Sequence, residues 1–253
     1  MKEVAPDWYK RIWSLGIKEM SWVEETAAQV DFIIHTLELK GNERILDLAC
    51  GFGRHSIALA EKGFRVTGVD ITPAFVEDAR KTAGKKGLDA EFICSDIRDI
   101  SFINEFDVVL NMADGAIGYL EDDRENLKIF DRISAALKPG GRHFMDVCNR
   151  KHAEMHFPKR HWEAGEKALS LAEFSWDREK KRMLYSGFEI PFGKTAVPPE
   201  SLKPHSSIRL YGREELRRIL SRRGLTIVAT YADYEGRPDS QRELQLMVYS
   251  RKS

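Results

Sequence analysis

Between residues 22 and 39 the apolar positions Val23, Ala27, Val30, Ile33, Ile34 and Leu37 recur every three or four residues. That is the period of a helix with one buried face, and Gly41-Asn42 ends it. Ile45 to Ala49 breaks the period. It is short and nearly all apolar, with Gly51 and Gly53 close behind, as expected of a central parallel strand. The two patterns then alternate. A helix over Ser56 to Lys62 stops at Gly63, and a strand follows from Val66 to Val69. Thr72-Pro73 opens a helix that reaches Gly87, with threonine as cap and proline in its first turn. Strands are predicted at Ala90 to Cys94 and Phe106 to Leu110, then a helix from Asp122 to Leu137. A turn at Lys138 to Gly141 leads into a strand from Arg142 to Val147. Strand and helix repeated in this way predict an α/β fold, a parallel sheet with right-handed crossovers.

The pattern changes after residue 155. Ala168 to Trp176 and Arg182 to Ile190 flank the charged turn Asp177 to Lys180 and read as a hairpin. A loop with Pro191, Pro198, Pro199 and Pro204 leads to a third strand around Ser207 to Tyr211. This stretch is too short to bury a core of its own, so an antiparallel insertion is expected. Regular α/β structure resumes with a helix from Arg213 to Arg223, a stop at Gly224, and strands at Leu225 to Tyr231 and Leu244 to Ser250. The expected organisation is a helical cap at 1–40, a Rossmann-like body at 41–155 and 211–253, and a lid over 156–210. Trp8, Tyr9 and Trp13 give the N-terminal segment two readings: a packed face, or a flap that closes over a ligand.

Composition narrows the classes. The chain has 253 residues, with 40 Lys plus Arg against 40 Asp plus Glu, so no global field draws it to nucleic acid or an anionic membrane. The basic stretch Arg213 to Arg223 is broken by Glu214 and Glu215 and reads as a solvated helix face. Cys50, Cys94 and Cys148 are odd in number and widely spaced, which fits neither a disulfide framework nor a metal site. No run of ~20 apolar residues predicts a membrane span. The first residues lack the apolar core of a signal peptide, so a reducing, cytoplasmic setting is expected.

The chemistry collects at the carboxyl ends of the first strands, the edge where open α/β sheets bind ligands. Gly51-Phe52-Gly53 permits the positive φ and close backbone approach of a ligand-cradling turn, and the following helix aims free N–H groups at it. A dinucleotide fingerprint wants a third glycine where Ser56 stands, so a nucleoside without a pyrophosphate is expected. Asp70 ends the second strand about twenty residues on, where a carboxylate suits a ribose diol. Asp96 ends the third and could accept from an adenine amine, with Ile71 and Ile97 covering the ring. Asp47 inside the first strand is costly to bury without a hydrogen-bonded role, such as orienting the loop or accepting from an ammonium.

These segments resemble the class I S-adenosylmethionine-dependent methyltransferases over Ile45 to Val147. Leu46-Asp47-Leu48-Ala49-Cys50-Gly51-Phe52-Gly53-Arg54-His55 resembles the first motif, which wraps the methionine part of the cofactor. Val66 to Ile71, Ser95-Asp96-Ile97, Phe106 to Asn111 and Leu137 to Gly141 are similar to the later motifs, in the correct order. The resemblance implies S-adenosyl-L-methionine held by Asp47, Ala49, Gly51, Gly53, Arg54, Asp70, Ile71, Asp96, Ile97 and Asn111. It also implies a seven-stranded Rossmann-like sheet in the order 3-2-1-4-5-7-6 with strand 7 antiparallel. The C-terminal part looks like the subgroup that acts on small molecules.

Methyl transfer is an in-line displacement in which the protein supplies alignment and desolvation. On the acceptor side, Tyr9, Tyr119, Asn149, Trp162, Arg209 and Tyr234 are the candidate substrate contacts, with Tyr119 and His205 as catalytic candidates. No base is assigned, no metal is expected, and Cys50, Cys148 and His55 read more simply as packing or capping residues. A small-molecule acceptor is therefore expected, moving methyl to N, O or C. The rivals are a nucleic-acid or protein methyltransferase of the same fold, a cofactor binder without catalysis, and an NAD-dependent oxidoreductase. Asn111-Met112-Ala113-Asp114 stands where base-amine enzymes carry a Pro-Pro-aromatic stack, and the missing third glycine disfavours NAD.

Overall fold

The computed structural model describes residues 4–165, 168–195 and 203–253. After two short 3₁₀ turns at Trp8–Lys10 and Leu15–Glu19 come α1 (Ser21–Glu24) and α2 (Thr26–Thr36). The alternating body holds β1 (Arg44–Leu48), α3 (Arg54–Glu61), β2 (Arg65–Asp70), α4 (Pro73–Lys86), β3 (Ala90–Cys94) and β4 (Phe106–Asn111). It continues with α5 (Asp123–Ala136), β5 (Leu137–Cys148) and α6 (Arg150–His156). Four strands follow, β6 (Lys159–Ala164), β7 (Ala168–Asp177), β8 (Arg182–Pro191) and β9 (Ser206–Arg209), and the chain ends with α7 (Arg213–Ser221), β10 (Leu225–Tyr231) and β11 (Gln245–Lys252).

The main sheet has seven strands in the order β10-β11-β5-β4-β1-β2-β3. β11 runs antiparallel to both neighbours, while β1 to β5 pair parallel. This is the order the resemblance implies. The period of two is visible in the packing. Leu46 and Leu48 of β1 and Val109 of β4 join Ile129, Phe130 and Ile133 of α5 and Leu216 and Leu220 of α7 on one face. Ile45, Val108 and Leu110 turn the other way, onto Val30, Ile33 and Leu37 of α2 and its boundary and Leu59 of α3.

Three local expectations are corrected. The single helix over 22–39 is broken at Glu25, whose ψ of 2° ends α1 before α2 begins. Lys138 to Gly141 is a bulge inside β5: Phe106 pairs with Leu137 but Val108 with Arg142, and Gly140 takes a φ of 74°. The insertion has four strands where three are expected, in the order β6-β7-β8-β9. β6 reads Lys-Arg-His-Trp-Glu-Ala and is exposed along nearly its whole length, so it carries no apolar alternation to detect. Pro198 and Pro199 of the predicted loop lie outside the described residues.

The loop after β4 is a main point at which the second sheet is fastened to the first. Trp8, Tyr119, Ala153, Met183, Ile208 and Leu210 form a shared core between the N-terminal segment, the loop after β4 and the inner face of β8 and β9. Arg182 is 4% exposed and spends its guanidinium on backbone carbonyls, donating to Leu120 O at 3.0 Å and Ser207 O at 2.6 Å, with longer contacts to Gly118 and Tyr119. Arg209 N–H donates to Gly118 O at 2.7 Å. Gly118 has a φ of +86°, and a Cβ there would stand 2.0 Å from the Arg209 carbonyl oxygen. Gly118→Ala is therefore expected to destabilise the fold by on the order of 2–4 kcal/mol, measured by chemical denaturation. A loss smaller than about 0.5 kcal/mol would show that the two sheets are not tied at this point.

Candidate active site

The site begins where β1 ends. Ala49, Gly51 and Gly53 take φ values of 56°, 57° and 78°, and this turn feeds directly into α3. A Cβ at Gly53 would meet the Phe92 ring at 2.7 Å, so glycine is needed there for packing beneath the turn. At Gly51 the added atom would approach nothing closer than 3.9 Å, which leaves that face of the turn open to a ligand. Asp70 accepts Gly51 N–H on Oδ2 and Thr72 N–H on Oδ1, each at 2.8 Å. Its carboxylate is thereby held between two successive strand ends. Burial raises its pKa despite those bonds.

Asp47 is 1% exposed and accepts Ser56 Oγ at 2.6 Å. Ser56, which replaces a fingerprint glycine, is thus the partner that Asp47 requires. Burial still pushes the Asp47 carboxyl up to about 6, against the pull of Ser56 and Arg54. Arg54 reaches back to α2, donating to Thr26 Oγ1 at 2.8 Å and Gln29 Oε1 at 2.6 Å. His55 Nε2 stands 2.9 Å from the same Gln29 oxygen, and burial beside Arg54 holds the imidazole well below its ordinary pKa and neutral. At the end of β3, Asp96 is gripped by Arg98 through two guanidinium bonds of 3.0 and 2.6 Å and a backbone bond of 2.9 Å. That grip holds its carboxyl below the usual range although burial opposes it.

The loop after β4 forms the opposite wall. Ala113, Asp114, Gly115 and Ala116 all lie in the left-handed region, with φ of 50°, 68°, 50° and 60°. Three non-glycine residues there store strain of about 1–2 kcal/mol each. The strain is offset by bonds onto β5: Asp114 N–H to Asp146 O at 2.8 Å and Cys148 N–H to Asp114 Oδ1 at 3.0 Å. Asp146 is 6% exposed and accepts Tyr234 Oη at 2.9 Å and Gln245 Nε2 at 3.3 Å. Burial and neighbouring Asp114 push its carboxyl up to about 7. The Cys50 and Cys148 thiols are pushed up by burial and adjacent carboxylates, so neither is a ready thiolate.

Between these walls lies a cavity of about 710 Å³. Of the residues expected to hold the cofactor, Asp47, Ala49, Gly51, Arg54, Asp70, Ile71, Asp96 and Ile97 line it. Gly53 sits beneath the turn, and Asn111 is fully buried with Nδ2 donated to Gly115 O, so it shapes the loop from behind. Of the acceptor-side candidates, Tyr9 and Tyr119 line the cavity. The others stand elsewhere. Asn149 caps α6 and ties it to Ser240 O. Trp162 is 67% exposed on β6, and His205 is exposed just before β9. Arg209 is buried against Glu215 and Asp123, and Tyr234 stands behind Asp146. Gln29, Asp114, Asp146 and Gln245 line the cavity without having been singled out from the sequence. Among the described residues no cluster of His, Cys, Asp and Glu is arranged to hold a metal.

Comparison with known proteins places this geometry. Residues 45–141 match a family described as a methyltransferase domain. The putative methyltransferase YqeM of Bacillus subtilis is 38% identical over 105 residues, 41% of this chain and 42% of that protein. A ubiquinone biosynthesis O-methyltransferase of Coxiella burnetii is 29% identical over 149 residues, 58% of this chain and 59% of that protein. The alignments thus span less than two thirds of either relative. The structure of an S-adenosylmethionine-dependent methyltransferase from Clostridium acetobutylicum superposes with a TM-score of 0.74 at 19% identity, covering 94% of this chain and 96% of that one. Residues 45–141 thus match a methyltransferase domain, and the Rossmann-like fold seen in that S-adenosylmethionine-dependent methyltransferase extends across almost the whole chain.

Asp146 also makes a stability prediction. Its folded pKa of about 7 lies above the unfolded value of 3.8, so between those values the folded state keeps a proton that the unfolded state has lost. The penalty is absent at low pH and complete above about pH 7. Asp146→Asn should therefore melt at a higher temperature than the wild type at about pH 8, with the gap closing near pH 4 in scanning calorimetry. A lower Tm at both values would contradict the burial argument.

Proposed function

We propose that the protein transfers the methyl group of S-adenosylmethionine to a small-molecule acceptor. The observation that carries this reading is the fixed Asp70 carboxylate. It stands at the carboxyl end of β2, on a cavity that opens where the sheet order reverses between β1 and β4.

The residues present fit the cofactor. Asp70 would take the ribose hydroxyls, Ile71 and Ile97 would cover the adenine, and the turn from Ala49 to Gly53 would wrap the methionine part beside Asp47 and Arg54. Asp96 has committed about three of its roughly four lone-pair positions to Arg98, so it would offer the remainder to the adenine amine. When bound, the cofactor supplies an electrophilic methyl group on a sulfonium with a thioether as leaving group. The chain's own work is to align the acceptor and exclude water. In this reading residues 1–40 cap the site and 41–155 and 211–253 form the cofactor-binding body, while 156–210 is an insertion that reaches the acceptor side through the loop carrying Tyr119. The shared core of Trp8, Tyr119 and the inner face of β8 and β9 supports that division. The balanced net charge and the absence of a Pro-Pro-aromatic stack after β4 favour a small acceptor over a nucleic acid.

S-adenosylhomocysteine should raise the melting temperature of the purified protein, and NAD should not. Asp70→Ala should weaken S-adenosylhomocysteine binding by about tenfold or more in calorimetry while leaving the circular dichroism unchanged. Stabilisation by NAD in place of S-adenosylhomocysteine would overturn the reading.

A further inference from the structure

The lobe of the cavity away from the glycine turn is lined by more acidic than cationic side chains. Asp114, Asp146 and Glu243 line it, whereas the cationic side chains lining the whole cavity are Arg54 and Arg98. Arg98 is engaged by Asp96 and Glu125, and Arg54 by Thr26 and Gln29. Arg54 pulls the Asp146 carboxyl down, but burial and Asp114 outweigh it, and burial likewise raises Asp114.

Asp146 is the group most open to a ligand. It is 6% exposed, yet it lines the cavity. Both hydrogen bonds that its side chain accepts, from Tyr234 and Gln245, arrive on Oδ2, so Oδ1 has no partner among the described residues. In a carboxylate so largely removed from water, the oxygen left open to the cavity is a site for a donor, and a charged donor satisfies it best. Tyr9, Trp13 and Tyr119 line the same cavity, with the Tyr9 and Tyr119 ring centres 6.4 Å apart, and aromatic faces attract cations. A hydroxyl acceptor would bring no cation to these carboxylates.

We propose that the acceptor is a molecule bearing a basic amine nitrogen, and that Asp146 binds its ammonium form through Oδ1 and takes a proton from it. The proposal rests on the methyltransferase reading. An ammonium has no lone pair and cannot attack. Passing one proton to the carboxylate leaves a neutral amine and a carboxylic acid. The amine lone pair then forms the N–C bond as the C–S bond breaks and its electron pair returns to sulfur. The product is a methylated ammonium, and Asp146 releases its proton to water. Asp114 and burial raise the basicity of Asp146 for this step, while Tyr234 and Arg54 restrain it.

The test is calorimetry on the full chain saturated with S-adenosylhomocysteine, using matched pairs: tyramine and tyrosol, phenethylamine and 2-phenylethanol, tryptamine and tryptophol. At least one amine should bind about tenfold or more tightly than its alcohol. Asp146→Asn should abolish that advantage while keeping S-adenosylhomocysteine affinity within about twofold of wild type. The proposal is overturned if no amine outbinds its alcohol, if the advantage survives in Asp146→Asn, or if that variant loses S-adenosylhomocysteine instead. Failure of the wild type to bind S-adenosylhomocysteine would be a different result, and would remove the methyltransferase reading itself.

Discussion

The parallel pairing of β1 with β4 is the constraint on which the site depends. The chain runs outward from β1 to β2 and β3, then returns to lay β4 on the other side of β1, with Ile45 opposite Val108 and Asp47 opposite Leu110. The loops after β1 and β4 must therefore leave the sheet in opposite directions, and a crevice opens between them. Two walls of the cavity are hung from that parting. The glycine turn and Asp70 lie on one side, and the left-handed loop from Ala113 to Ala116 on the other.

Burial makes the crevice expensive. Asp47, Asp114 and Asp146 have raised pKa values because water has been taken from them, and Asp70 remains raised even with two backbone donors. The bonds they accept, from backbone N–H groups at Asp70 and Asp114 and from side chains at Asp47 and Asp146, return only part of that cost. All four, Asp47, Asp70, Asp114 and Asp146, face the cavity, where a bound ligand could meet them. Asp96 is the contrast: Arg98 neutralises it, and its carboxyl is held low.

The body of the fold was legible because its periods are clean. Leu46 and Leu48 against Ile45, or Val109 against Val108 and Leu110, report a strand buried on both faces, and glycines and Thr72-Pro73 punctuate the helices. β6 escaped because a polar, exposed edge strand has no pattern to read. On the site, acids at strand ends could be located because topology alone carries them to one edge. Tyr234 and Arg209 could not: whether a side chain faces the cavity depends on the packing of loops distant in sequence. Asp146 was within reach. It interrupts the apolar run Phe144-Met145-Asp146-Val147 as Asp47 interrupts β1, and the cost that singles out Asp47 applies equally to it.

The second sheet gives the last link between sequence and site. Its inner face does not line the cavity; it reaches the site through Arg182, whose guanidinium gathers the carbonyls of Gly118, Tyr119 and Leu120. A lysine could not replace that fork, because several carbonyls in different directions need several rigidly placed donors. Tyr119 is thus held by its backbone from the insertion and by its ring from Trp8, 4.8 Å away between centres. One side of the cavity is built from the ends of β1, β2 and β3, and the Tyr119 side depends also on the N-terminal segment and the insertion. That division explains why the first side follows from strand order, and why the second requires the three-dimensional packing.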